Sequence, residues 1–369
     1  MVELADIFRL HGPQYRATFG DRLLPSHLRA MQDIEHCRTA ALGGQLYYCA
    51  QCDEQRYSYH SCKNRHCPKC QNQQANDWLK EQQQLLLPSH HFLVTFTLPA
   101  ELRPLARARQ KLVYNILFRA SSQALQKLAA DPRFVGARVG MVGVLQTWTR
   151  DLRYHPHVHY VVTGGGLDRQ GRWHSSATDF LVHGKPLGLI FRAMLRDALQ
   201  KAGLFSLVDK RAWQKKWVVD LEPVGTGQAA FKYLAPYIFR VALSNNRILK
   251  LENGMVTFKY QDSATKQIKT SELTSQEFIR RFLQHVLPPR FVKVRYFGLL
   301  SPAYRQLLHR ARALLAAAPG HSNTPLPDNP KTPDRVTASK APTAALCCPN
   351  CGAVLKLIKE LKRNSGLPP

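Results

Sequence analysis

The chain has 369 residues, 44% of them hydrophobic, enough for two or three domains and at least one sizeable core. No apolar run reaches the roughly 20 residues that span a bilayer, and residues 1–8 carry Glu3 and Asp6 rather than a basic-then-apolar leader, so a cytoplasmic protein is expected. Fifty-two Lys and Arg against 25 Asp and Glu give a formal charge of +27, spread along the chain. That pattern favours nucleic acid over a membrane surface as partner.

Residues 1–36 read as basic and helical, with Leu4, Ile7, Phe8, Leu23, Leu24, Leu28 and Met31 at roughly helical spacing. Packing on the next module and touching DNA both stay open for them. Six of the nine cysteines then fall between residues 37 and 70 and three between 347 and 351. Such tight clusters favour metal over disulfides. Cys49-x-x-Cys52 and Cys67-x-x-Cys70 together make one expected tetrathiolate zinc site, each CxxC forming a knuckle that offers two thiolates to a tetrahedral ion. Cys37, Cys62, His60 and His66 remain as surplus ligands, either for a second zinc or for packing. Cys347-Cys348-Pro-Asn-Cys351 is half a knuckle with no CxxC after it, and no complete site is expected from it.

A helix is expected over 72–87, a strand over 91–98, a basic amphipathic helix over 104–130 and a second strand over 139–148. The third strand carries the sharpest signal, Tyr154-His155-Pro156-His157-Val158-His159-Tyr160, ended by Gly164-Gly165-Gly166. Alternation puts His155, His157 and His159 on one face and Val158, Tyr160 and Val162 on the other. Val161 continues the histidine face, so the strand reads as buried on both sides with a metal-binding patch at one end. His-x-His chelates a divalent cation only if a third ligand joins it.

Further helices are expected over 187–202, over 226–243 and over 274–287, the last with Thr274 and Glu277 as a capping box, and strands over 217–221, 255–258 and 291–296. This order suggests an α+β fold, an antiparallel sheet with helices on one face. The 226–243 segment places Tyr233 and Tyr237 four residues apart on one helical face, with Pro236 between them as a kink. Lys210-Arg211-Ala-Trp213-Gln-Lys-Lys216-Trp217 interleaves basic and aromatic side chains, as a surface stacking on single strands would; core packing of Trp213 and Trp217 is the equal alternative. Arg240 and Arg247 suit DNA phosphates, with a solvated surface as the equal reading. Residues 316–345, rich in Pro, Ser, Thr and Ala, read as a linker. There is no GxxxxGK loop, so no ATP-driven motor is expected.

Seven stretches, in order, resemble the two-tyrosine HUH transposases of the insertion-sequence 91 group: Cys37-Arg-Thr-Ala-Ala-Leu-Gly-Gly, Ser61-Cys-Lys-Asn-Arg-His-Cys-Pro-Lys-Cys70, Val94-Thr-Phe-Thr-Leu-Pro-Ala-Glu-Leu102, Leu145-Gln-Thr-Trp148, His155-Pro-His-Val-His159, Tyr233-Leu-Ala-Pro-Tyr237 and Phe282-Leu-Gln-His-Val-Leu-Pro288. The resemblance implies a zinc-ribbon module followed by an HUH nuclease domain with an RRM- or palm-like sheet. It implies structural Zn²⁺, Mg²⁺ or Mn²⁺ at His157 and His159, and Tyr233 and Tyr237 as nucleophiles. Its substrate would be single-stranded DNA of transposon ends and target, joined through 5′-phosphotyrosine links in rolling-circle-type transposition. Gln146 is the first candidate for the third ligand of the catalytic ion and His155 the second. The expected division is a helical segment 1–36, a zinc module 37–88, the catalytic domain 89–300, and a helix, linker and cysteine-rich tail over 301–369. A zinc-ribbon regulator without catalysis, or an HUH replication initiator or relaxase, are the alternatives.

Overall fold

The computed structural model describes residues 2–70, 85–226, 228, 242–262, 265–317 and 346–364. The expected helix over 226–243, with Tyr233, Tyr237 and Arg240, lies outside them apart from its ends. So do most of the 72–87 helix and of the linker.

Helices α1 (Leu4–Phe19) and α2 (Pro25–Glu35) open the chain. Their apolar faces do not wait for DNA. Leu4, Ile7, Phe8, Met31 and Ile34 are buried in one core with residues 242–286, and the Phe8 ring meets Phe282 edge-on at 5.5 Å. The hairpin β1 (Gly44–Cys49) and β2 (Glu54–Tyr59) follows.

The central sheet begins at β3 (His90–Thr97). Helices α3 (Arg103–Ala108) and α4 (Gln110–Ala129) come next. The single helix expected over 104–130 is broken at Arg109, whose backbone leaves the helical region (φ −131°, ψ 47°). Strands β4 (Arg138–Trp148), β5 (Tyr154–Leu167) and the short β6 (Trp173–Ser175), helix α5 (Gly184–Lys201), the turn-length α6 (Arg211–Gln214) and β7 (Val219–Thr226) continue the domain. A small sheet of β8 (Ile248–Glu252), β9 (Met255–Gln261) and β10 (Ile268–Thr274) leads into α7 (Ser275–Leu283), with Thr274 Oγ1 accepting from the Glu277 N–H at 3.3 Å. The expected box is half made, because the Glu277 carboxylate turns to Arg280 and Arg281 instead. Strand β11 (Val294–Gly298), helix α8 (Arg305–Ala316) and β12 (Lys356–Leu361) complete the elements.

The main sheet runs β11-β4-β5-β3-β7, antiparallel throughout, with β6 on β5. The fold is therefore α+β, as the order of elements suggested. Val158, Tyr160 and Val162 of β5 sink with Phe92, Val94 and Phe96 into a core beneath α4 and α5. Tyr160 lies flat against β4 because Gly143 stands opposite it; a Cβ there would strike the ring. Its hydroxyl reaches Ser121 Oγ at 2.8 Å. The other face is covered too, at one end. Val161 joins Leu93, Val142, Val144 and Leu299 beneath Leu308 and Leu315 of α8. The helices thus lie on both faces rather than on one, and the histidines occupy the end that α8 leaves.

Candidate functional site

Two groups of four cysteines come together, each with all sulfurs within 4.8 Å of one another: Cys37, Cys62, Cys67 and Cys70, and Cys49, Cys52, Cys348 and Cys351. The expected pairing of the 49–52 and 67–70 knuckles does not occur. The hairpin explains why. Cys49 and Cys52 form its closed end, whereas Cys37 and Cys62 flank its open end, where Gly44 faces Tyr59. Six residues of strand at about 3.4 Å each hold the two ends too far apart for one ion. Cys37 and Cys62 are therefore members of the first cluster, and Cys67 and Cys70 close it. His66 is not: it is half-buried, and its Nε2 accepts the Leu287 N–H at 3.3 Å. Cys348 and Cys351, read as an unfinished knuckle, have their partner far back in the sequence.

The histidine face is set by register. His159 stands opposite Thr95 on β3 and Val144 on β4; His157 stands opposite Thr97 and Gln146. Residues opposite one another in antiparallel strands share a face. The two imidazoles meet edge-to-face with centroids 4.7 Å apart, and both are buried, 7% and 8% exposed. In both rings Nδ1 is engaged by protein. His157 Nδ1 lies 2.6 Å from the His155 carbonyl oxygen and His159 Nδ1 lies 2.9 Å from Thr95 Oγ1. Such contacts fix ring orientation, as the outer partners of metal-bound imidazoles do. Burial and the neighbouring His159 hold His157 well below the ordinary histidine range, and burial holds His159 down to about 4. Both rings are accordingly neutral at physiological pH, the form that binds metal.

Gln146 supplies the observation that composition does not. Its Nε2 donates to the Trp148 carbonyl at 2.8 Å, which leaves Oε1 buried with no hydrogen-bond partner among the described residues. An orphaned carbonyl oxygen costs free energy, and this one belongs to the residue in register with His157. Two neutral imidazoles and an amide oxygen form a donor set that a hard or borderline divalent ion accepts. His155 is drawn elsewhere, its Nδ1 2.7 Å from Arg103 Nη2, and it does not close into one ligand group with the pair.

The other expected DNA contacts divide. Lys210 and Lys216 are exposed, and Arg211 is exposed but forks onto Asp209. Trp213 is not an open platform. It is stacked between Phe205 and Trp217, at 5.5 and 5.6 Å, against the main core, because the 211–214 turn folds back onto α5. Arg247 hydrogen-bonds to the carbonyls of Lys259 and Arg150 and so ties β9 to the β4–β5 turn. Thr95 and Arg103 were missed; alternation on β3 was the signal available for Thr95.

Residues 7–98 match the family described as "Transposase zinc-binding domain" and residues 140–307 the family described as "Putative transposase". The chain is 39% identical over 349 residues to "Putative transposase y4qJ" of Sinorhizobium fredii, covering 88% of this chain and 87% of that protein. The chain belongs to the insertion-sequence 91 group of transposases. A second relative, "Transposase for insertion sequence element IS801" of Pseudomonas savastanoi pv. phaseolicola, is 32% identical over 286 residues, 72% of this chain and 68% of that protein. No solved structure matches the transposase. Its cysteine-rich module is the family's zinc-binding domain, so zinc is its structural metal and DNA its partner. Among the described residues no helix is long and apolar enough to cross a membrane.

Proposed function

We propose that this transposase cuts and rejoins single-stranded DNA at transposon ends and target through 5′-phosphotyrosine links made by Tyr233 and Tyr237, in rolling-circle-type transposition, with Mg²⁺ or Mn²⁺ held by His157, His159 and Gln146. The observation that carries the reading is the register-locked histidine pair with the orphaned Gln146 Oε1 beside it. An ion bound there would polarise a phosphodiester oxygen. The protein's own groups do the rest. Thr95 Oγ1 and the His155 carbonyl hold the imidazoles in orientation. Arg103, beside His155 at the rim, and the overall positive charge neutralise incoming phosphates.

A tyrosine oxygen attacks phosphorus, the bond from phosphorus to the 3′-oxygen breaks, and the phenol proton passes through solvent to that oxygen. The bond energy is kept in the phosphotyrosine, so a second strand's 3′-hydroxyl can reverse the step without a nucleoside triphosphate. Two tyrosines allow two such links.

Labelled single-stranded DNA from the element's ends, incubated with Mg²⁺ or Mn²⁺, tests this. The expected result is a protein–DNA adduct that survives denaturation and is absent when Tyr233→Phe and Tyr237→Phe are combined. Binding without any adduct would mark a DNA-binding regulator. An adduct that persists in the His157→Ala, His159→Ala double variant would remove the metal role.

A further inference from the structure

We propose that the transposase carries a second structural Zn²⁺, bound by Cys49, Cys52, Cys348 and Cys351, which clasps the tail segment 346–364 to the N-terminal zinc module. Neither family match reaches residues 346–364. This inference is independent of the catalytic reading above.

Three observations carry it. The first is the donor set. Cys49 Sγ lies 3.5 Å from Cys351 Sγ, and Cys52 Sγ 3.9 Å from Cys348 Sγ, with all four sulfurs within 4.8 Å of one another. Four thiolates at about 2.3 Å from a tetrahedral zinc lie about 3.8 Å apart, so the cage is the right size, whereas a disulfide would need about 2.05 Å. Each half is a knuckle closed by a residue with positive φ, Asp53 at +52° and Gly352 at +76°. In the tail half, the Gly352 N–H donates to the Cys348 carbonyl at 2.8 Å.

The second observation is the strand that accompanies the knuckle. β12 adds antiparallel to the free edge of β1, pairing Gly44 with Leu361 and Tyr48 with Lys356, so β1 becomes the middle strand of three. The Asn364 N–H then donates to the Ala41 carbonyl at 3.1 Å. Backbone pairing thus holds the tail over β12 and at Asn364, and the metal pins the segment that leads into that ladder.

The third observation lies in the module and not in the tail. Gly43 has φ +68° and ψ −169°, a region essentially closed to other residues. A Cβ on it would collide with the Leu361 carbonyl oxygen and crowd the backbone of Lys362 and Arg363. The module is thus shaped at this point for the tail's backbone. Cys347, exposed and outside the cage, is not a ligand.

Zn²⁺ is the ligand class because four soft thiolates in tetrahedral arrangement select it over hard cations. The consequence is topological. The metal joins two segments of chain some 300 residues apart in sequence, with the main sheet between them.

The test uses the full chain. Metal content measured on protein purified with zinc should be two Zn²⁺ per chain, falling to one in the Cys348→Ser, Cys351→Ser double variant. Cobalt substitution should give a thiolate-type visible spectrum whose intensity halves in that variant. A protease site placed within 318–345 gives an independent readout: after cleavage the tail should co-purify with the body, and a zinc chelator should release it. Gly43→Ala, with all cysteines intact, should weaken that retention. One zinc in the wild-type chain, two in the double variant, or thiols that resist alkylation under non-reducing denaturation would each overturn the proposal.

Discussion

The histidine face and the cysteine module are both collections of ligand-type side chains, yet they are assembled by opposite means. On the sheet, His157 and His159 share a strand and Gln146 faces them from the next strand of a hairpin, so pairing register fixes all three. In the module, two CxxC knuckles with the same spacing belong to different clusters, and one finds its partner far away in sequence. Strand alternation is a local geometric law, so a motif on a strand announces its own geometry. A knuckle announces only that it needs two more thiolates.

The comparison breaks most sharply at the histidines. They are buried but contribute few apolar contacts, whereas the first cysteine cluster is part of a core. His157→Ala combined with His159→Ala should lower DNA nicking by about a thousandfold, the scale of losing metal stabilisation worth several kcal/mol. The midpoint of thermal unfolding should move little. An equal loss of nicking and of stability would mean the pair is structural.

Cys67 should behave the other way. It is buried in the core that α1 and α2 share with residues 242–286, together with Cys37. Removing one thiolate from a structural zinc site sacrifices binding energy that is also folding energy. Cys67→Ser should therefore cost several kcal/mol in denaturant unfolding. Cys348→Ser should cost less, since Cys348 and Leu355 of the tail share only a small buried cluster with Cys49. Equal costs at the two clusters would erase the distinction.

What could be read from the sequence follows the same division. The strands over 91–98, 139–148 and 157–163 and the histidine alternation were legible because period-two patterning is local. The grouping of Cys37 with Cys62, and of Cys49 with Cys348, was not, since it depends on which end of a hairpin each knuckle occupies. The small sheet of β8, β9 and β10 was only partly seen: Lys250, Lys259, Lys269 and Glu272 dilute its apolar pattern, and only one face is covered. Trp213 and Trp217 left a DNA platform and core packing equally open because their spacing is the same whether they face solvent or α5. Gln146 stood out only by its place two residues before Trp148; its unmatched oxygen is a property of the packed structure.

Lys293 sits where the two regions meet. Its ammonium lies 4.8 Å over the Trp148 ring, and burial, with Arg65 of the zinc module nearby, pushes it down to about 7 from the ordinary 10.5. Its folded value is the lower one, so between pH about 7 and 10.5 the unfolded chain binds the proton and the folded chain does not. Stability should rise with pH through that window. Relative to the wild type, Lys293→Met should be most favoured below pH 7 and should lose that relative advantage as pH rises towards 10.5. A variant that is less stable at neutral pH would show that the ammonium is fully compensated and that the junction relies on it.

The smallest effect belongs to the outer face of α7, whose inner face carries Phe278 and Phe282 into the shared core. Glu277 holds Arg280 at 2.5 Å and Arg281 at 2.7 Å, and those guanidinium groups, Arg280 first, lower its carboxyl to about 2 from the usual 4.5. Here the folded value is again the lower one, but for an acid. The contribution is present above pH 4.5 and is lost as pH falls through that value towards about 2. The group is partly exposed, so water and salt screen it, and Glu277→Gln should cost only a few tenths of a kcal/mol at neutral pH. Unfolding curves of the variant and the wild type should converge as pH falls towards 2 and as salt rises. Phe282→Ala, one turn along on the buried side, should cost about 3–5 kcal/mol at every pH. A glutamine variant approaching that cost would mean that the surface network, and not the shared core, fixes α7 against the zinc module.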